Sequence, residues 1–164
     1  MSEALEGWTD FNVAMVGATA ALAGLLIVAM SVNISTIMTS PTLPARAASA
    51  ISTLVLAIVV CALGLMPGQS DVGYGIEVLV AAAVAAVFQV HAMRVIAREE
   101  LLTAADRFAK SLAGVIPIAA FLVGGLLIIA GAVAAGLVAV ALGSLLAVVA
   151  AILISWVMLV EVLR

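Results

Sequence analysis

Glu77 and His91 stand fourteen positions apart in a stretch, Gly75 to Met93, that is otherwise almost wholly apolar. Helical spacing sets both on one stripe with Ala81, Val84 and Phe88. A carboxylate and an imidazole on one stripe are the residue types of a proton path. They are ~21 Å apart along the axis, too far to touch. The competing reading places each in an opposite headgroup zone. Gln89, beside them, is a candidate interhelical hydrogen-bond donor or a ligand for a substrate. Ser31 and Asn33, with Ser35 and Thr36, make one end of the first apolar stretch polar, and Asn12 does the same at the other. That pattern suits a hydrophilic vestibule or ion site, or hydrogen bonding between helices and to the backbone. Arg46, Arg94 and Arg98 could hold lipid phosphate or act as topology anchors, and Arg46 could pair with a carboxylate such as Glu161. Polar groups inside lipid are costly, so each is a functional candidate.

Several chemistries lack their residues. One His and one Cys cannot build a His/Cys metal cluster. No glycine-rich phosphate loop with its Lys-Ser/Thr occurs, no serine has the G-x-S-x-G context, and no two carboxylates sit together inside an apolar stretch. The expectation is a protein that is not an enzyme and needs no cofactor. The net charge of −3 gives no footprint for nucleic acid.

The elements that position these residues follow from composition. The chain is 67% hydrophobic and 9% charged over 164 residues, against about 25% charged in a soluble domain. A transmembrane helix needs roughly 20 apolar residues. Residues 11–38 supply the first, read as the central helix. An acidic lead with Glu3, Glu6 and Asp10 is unlike a cleaved signal peptide, so this helix is expected to be kept. Two prolines, Pro41 and Pro44, end it and start a second helix over 44–66. Pro67-Gly68 marks a turn. A third helix spans 75–96, and 97–110 has the pattern of an amphipathic surface segment or a helical extension. Beyond it the chain stays apolar for too long to be one span, and the break is placed at Gly131–Gly136. Helices over 111–130 and 136–163 result, with Pro117 a kink near the start of the fourth.

Small residues recur at helical spacing. Gly17, Ala21 and Gly24 form a seam on the first helix, and Gly136, Gly143 and Ala147 one on the last. Such seams let helix backbones approach closely in lipid. With five spans, all six basic residues (Arg46, Arg94, Arg98, Arg107, Lys110 and Arg164) fall on one side, which the positive-inside rule makes cytoplasmic.

Three segments together, Gly17 to Ile34 (GATAALAGLLIVAMSVNI), Leu43 to Ala47 (LPARA) and Leu65 to Ser70 (LMPGQS), resemble a family of small bacterial multi-pass membrane proteins to which no activity is attached. The resemblance covers roughly the first 70 residues and implies a bacterial inner membrane. The fold expected is an all-α integral membrane protein, a five-transmembrane-helix bundle with the N-terminus outside and the C-terminus cytoplasmic. The partners expected are membrane lipids and either a homo-oligomer or another membrane protein. The function expected is structural or regulatory, through helix contacts, with a small ion channel or transporter subunit as the alternative.

Overall fold

Serines, prolines and glycines set the breaks before any packing does. The computed structural model describes residues 3–40, 42–98 and 104–162. They form seven helices: α1 (Glu3–Glu6), α2 (Thr9–Val32), α3 (Ile34–Thr39), α4 (Leu43–Leu63), α5 (Asp71–Ala97), α6 (Ala104–Ile129) and α7 (Val133–Val162), with no strand among the described residues. Ser40 rather than Thr42 caps α4: its hydroxyl accepts from the backbone N–H groups of Thr42 and Leu43, both at 3.4 Å, and Pro44 sits in the first turn. Ser70 caps α5, accepting from the Gly73 N–H at 3.1 Å. The turn between α6 and α7 falls on Gly131, which takes φ +89°, a left-handed conformation open to glycine. The Ala132 N–H reaches the Leu127 carbonyl and the Gly131 N–H the Ile128 carbonyl, the paired closure of a Schellman motif. Gly136 therefore lies inside α7 rather than at the break.

One expected element is corrected and one is decided between its two readings. The first stretch is not one helix over 11–38, because Asn33 interrupts it between α2 and α3. The Asn33 carboxamide donates to the Ala29 carbonyl at 3.0 Å and the Ser31 hydroxyl to that of Ile27 at 2.8 Å. Such bonds compete with the helical ladder. Of the two readings of 97–110, a surface segment or a helical extension, the described part is a helical extension. Residues 104–110 are the opening turns of α6, Ala97 still belongs to α5, and 99–103 lie outside the described residues. Pro117 consequently sits in the middle of α6, fully buried.

Helices α4, α5, α6 and α7 pack in a ring, each against the next, with α7 returning to α4. Helix α2 lies outside the ring, against α4. The central helix is therefore α4 and not the first one: 56% of its apolar window is buried, against 22% for α2. A core of Leu56, Val60, Val78, Phe121, Ile128 and Val140 fills the ring. Ala23 and Leu26 of α2 meet Ala50 and Leu54 of α4 in a second cluster. Leu5 of α1 is fully buried at the end of the ring, and Trp8 packs edge-on to Phe11 with ring centroids 5.6 Å apart.

Glycine decides the helix spacing. A Cβ on Gly124 of α6 would stand 2.9 Å from the Gly136 carbonyl of α7, and one on Gly136 would stand 2.8 Å from the Gly124 carbonyl. The neighbouring Gly125 meets Gly75 of α5 in the same way, at 3.0 and 3.1 Å. The two seams predicted from sequence thus separate. Gly136, Gly143 and Ala147 are buried inside the bundle, with Gly143 against the Phe121 ring. Gly17, Ala21 and Gly24 are exposed, and nothing lies within 4 Å of a Cβ built on either glycine.

Large apolar side chains face outward all around the molecule, among them Leu25 and Val28 of α2, Val84 and Val87 of α5, Leu126 of α6 and Leu142 of α7. A soluble monomer rarely exposes a contiguous patch beyond a few hundred Å². Four helices, α2, α4, α5 and α7, are long and apolar enough to cross a bilayer, and the apolar stretch of α6 runs from Gly114 to Ile129. This is the build of a membrane protein.

Because backbone atoms cannot retreat, Gly136→Ala is expected to lower thermal stability in detergent by about 1–3 kcal/mol, as overpacking does. Gly17→Ala, with no other part of the bundle near it, should leave the melting temperature of the single bundle unchanged or slightly raised, since alanine is the better helix former. Equal effects of the two would show that the Gly124–Gly136 contact does not set the spacing.

Candidate functional site

The polar side chains gather at the two ends of the ring. At the end where α4 begins and α5 finishes, Arg46 enters one turn into α4 and is 5% exposed. It is the one charged residue among those buried in the described part of the chain. Helical register explains its burial. Arg46, Ala50, Thr53 and Ala57 follow at i, i+4, i+7 and i+11, the face that α4 turns to the ring. Beside it Ser49 donates to the Gln89 Oε1 of α5, and the Gln89 carboxamide lies over Gly114 of α6, where a Cβ would collide with it. Arg46, Ser49, Gln89, Gly114 and Ile154 line a pocket of about 10 Å³, room for about one water. A buried guanidinium stands beside a hydroxyl and a carboxamide that bond each other. Its cost in a low-dielectric setting makes it the leading functional candidate of the fold.

The opposite end carries a second set. Gln69, in the α4–α5 turn, donates to Glu77 Oε2. The Tyr74 hydroxyl reaches the Val60 carbonyl at 3.3 Å. Asn12 of α2 is 5% exposed, and its Nδ2 fills the space a Cβ on Gly64 would need. Deeper in the ring, Cys61 of α4 lies 3.6 Å from the Ser144 hydroxyl of α7, which donates to its own helix at the Val140 carbonyl. Among the described residues no three His, Cys, Asp or Glu side chains come together as a metal site.

The residues singled out in the sequence have these fates. Gln89 joins α4 to α5, accepting in its bond with Ser49. Ser31 and Asn33 bond to carbonyls of their own helix and reach no other. Glu77 and His91 share the expected stripe, but it runs along the outside of the ring: Val84, Phe88 and His91 are exposed. No proton path through the bundle follows it. Arg94 on α5 and Arg98 just past its end are exposed, and Arg46 is buried. Ser49, Gly114 and Ser144 were missed. The signal for Ser49 and Arg46 was present, because both extend the small-residue face of α4 toward its start.

A double-mutant cycle tests the basic-end cluster. Gly114→Ala should destabilise by about 1–3 kcal/mol, since Gln89 must leave its place. In a Gln89→Ala background the same change should cost under about 0.5 kcal/mol, the size expected for uncoupled sites. Additive costs would separate the two residues. Compared with known proteins, this chain matches no family model, no curated protein and no solved structure.

Proposed function

We propose that the chain is a five-span membrane protein, not an enzyme, that acts through helix contacts and assembles with copies of itself through α2. The observation that carries this reading is the division of the glycines. Gly75, Gly114, Gly124, Gly125, Gly136 and Gly143 all meet atoms of a neighbouring helix, while Gly17 and Gly24 meet none. By helical register Gly17, Ala21, Gly24 and Val28 point directly away from the Met15–Thr19–Ala23–Leu26 face that α2 turns to the ring. Small residues in lipid serve backbone-close packing between helices, and closed homo-oligomers are the commonest assemblies. Conduction through a single bundle is less well supported. The pockets beside Arg46 and Asn12 are about 10 Å³ each, room for about one water.

The five-span count rests on α6 packing in the ring with α4, α5 and α7, to which α2 adds the fifth long helix. It gathers Arg46, Arg94 and Arg98 at one end, with Arg107 and Lys110 in the opening turns of α6 at that same end. That end is cytoplasmic by the positive-inside rule, which leaves the N-terminus outside. The sequence resemblance supports a bacterial inner membrane.

Reporter fusions after residues 70 and 133 should read outside, and fusions near residue 104 and at the C-terminus inside. A C-terminus on the same side as the N-terminus would overturn the count. For assembly, Gly24→Leu should leave the protein inserted with an unchanged melting temperature but shift it to monomer in native mass analysis. Gly143→Leu should lower stability by about 1–3 kcal/mol and keep the oligomer. A wild type that is monomeric in lipid nanodiscs rules out self-assembly.

A further inference from the structure

A groove of about 580 Å³ runs between α4 and α5 on the outer surface of the ring. Ala85 and the fully packed Leu56 form its floor, and Val55, Val84 and Phe88 stand half-exposed along its rims. From Ala48 to Val59 it is ~16 Å long at 1.5 Å per residue. The hydroxyl in its wall, Ser52, donates to the Ser49 carbonyl at 2.9 Å, so the wall presents no unsatisfied polar group. The shape and chemistry are those of a channel for a single hydrocarbon chain, open to the side.

The two ends of this groove differ in charge. The α5 stripe that lines it continues past Phe88 through His91, Val95 and Arg98, at i, i+3, i+7 and i+10. His91 and Arg98 are exposed. Phe88 to Arg98 is ~15 Å, and a long arginine reaches along the membrane normal toward the headgroups. At the other end the stripe reaches Glu77, bonded to Gln69, with Asp71 one and a half turns further. The first end carries Arg94 and Arg98, followed in the sequence by Glu99 and Glu100, and the second carries carboxylates without a basic residue, so an anionic group is favoured at the first. We infer that the α4–α5 groove binds an acyl chain of an anionic phospholipid whose phosphate lies between His91 and Arg98. Basic residues where transmembrane helices meet the headgroups are suited to anionic lipids, each cation near the surface contributing ~1 kcal/mol, or about fivefold in affinity.

Fluorescence quenching tests the site. In a Trp8→Phe/Trp156→Phe background, Phe88→Trp places one indole in the groove, and Val90→Trp places one about 3 Å further along the axis on the exposed side of α5 turned away from it. Each protein is reconstituted in phosphatidylcholine vesicles containing either phosphatidylglycerol or phosphatidylcholine with brominated chains. At position 88 the brominated phosphatidylglycerol should show a relative association constant roughly five- to tenfold above that of brominated phosphatidylcholine. At position 90 the two should be equal. Arg98→Gln should lower the preference at position 88 about fivefold. Equal preference at positions 88 and 90, or a preference at position 88 that Arg98→Gln leaves unchanged, would reduce the effect to general surface charge and overturn the proposal. The unmodified protein gives a second readout. Native mass analysis after extraction from mixed vesicles should retain phosphatidylglycerol over phosphatidylcholine, and Ala81→Trp, which fills the groove, should abolish that retention. Retention unaffected by Ala81→Trp would place the lipid elsewhere.

Discussion

Two adjacent glycines of α6 hold the ring together. Gly124 brings the backbone of α6 against α7 at Gly136, and Gly125 brings it against α5 at Gly75. Inside lipid there is little hydrophobic gain in joining two apolar helices, so dense packing must supply the stability. Contact between backbones gives the densest packing available, and it fixes how far apart α5, α6 and α7 stand. Phe121, Ile128, Val78 and Val140 then fill the space those distances leave. The Schellman closure at Gly131 delivers α7 back along α6 in the register that Gly124 and Gly136 require.

At the basic end the same device works differently. Gly114 makes room not for a backbone but for the Gln89 carboxamide, which accepts from Ser49. Gly64 makes room for Asn12 at the acidic end. In both places a missing side chain on one helix lets a polar side chain of another lie flat against it. The polar groups stay within reach of partners, and the low-dielectric surroundings make those partners matter. Each end of the ring is thus closed by a polar contact and its middle by apolar packing.

Helix α2 stands apart from this scheme. It contributes a narrow face to α4 and turns the rest outward, including the small residues that the ring does not use. The α4–α5 groove is also left open, with its charges at one end. The outward face of α2 and the open α4–α5 groove are the surfaces that the proposed assembly and lipid contact would use.

The sequence by itself determined the class of object and most of its punctuation. Apolar runs of bilayer length, Pro41-Pro44, Pro67-Gly68 and Gly131 mark the breaks, because backbone geometry at these residues is a local property. It also placed Arg46 and Ser49 in register with Ala50 and Thr53. Only the tertiary structure decided which helix is central and which small residues do the packing. Gly24 and Gly143 look alike in an alanine-rich chain, since a small seam shows that a helix can be approached closely but not by what. The choice depends on which helices become neighbours, a property of the whole ring: α6 supplies partners to Gly136 and Gly143, and nothing among the described residues supplies one to Gly24. The stripe from Glu77 to His91 was likewise legible as a stripe, and the neighbours of α5 decided that it faces the lipid.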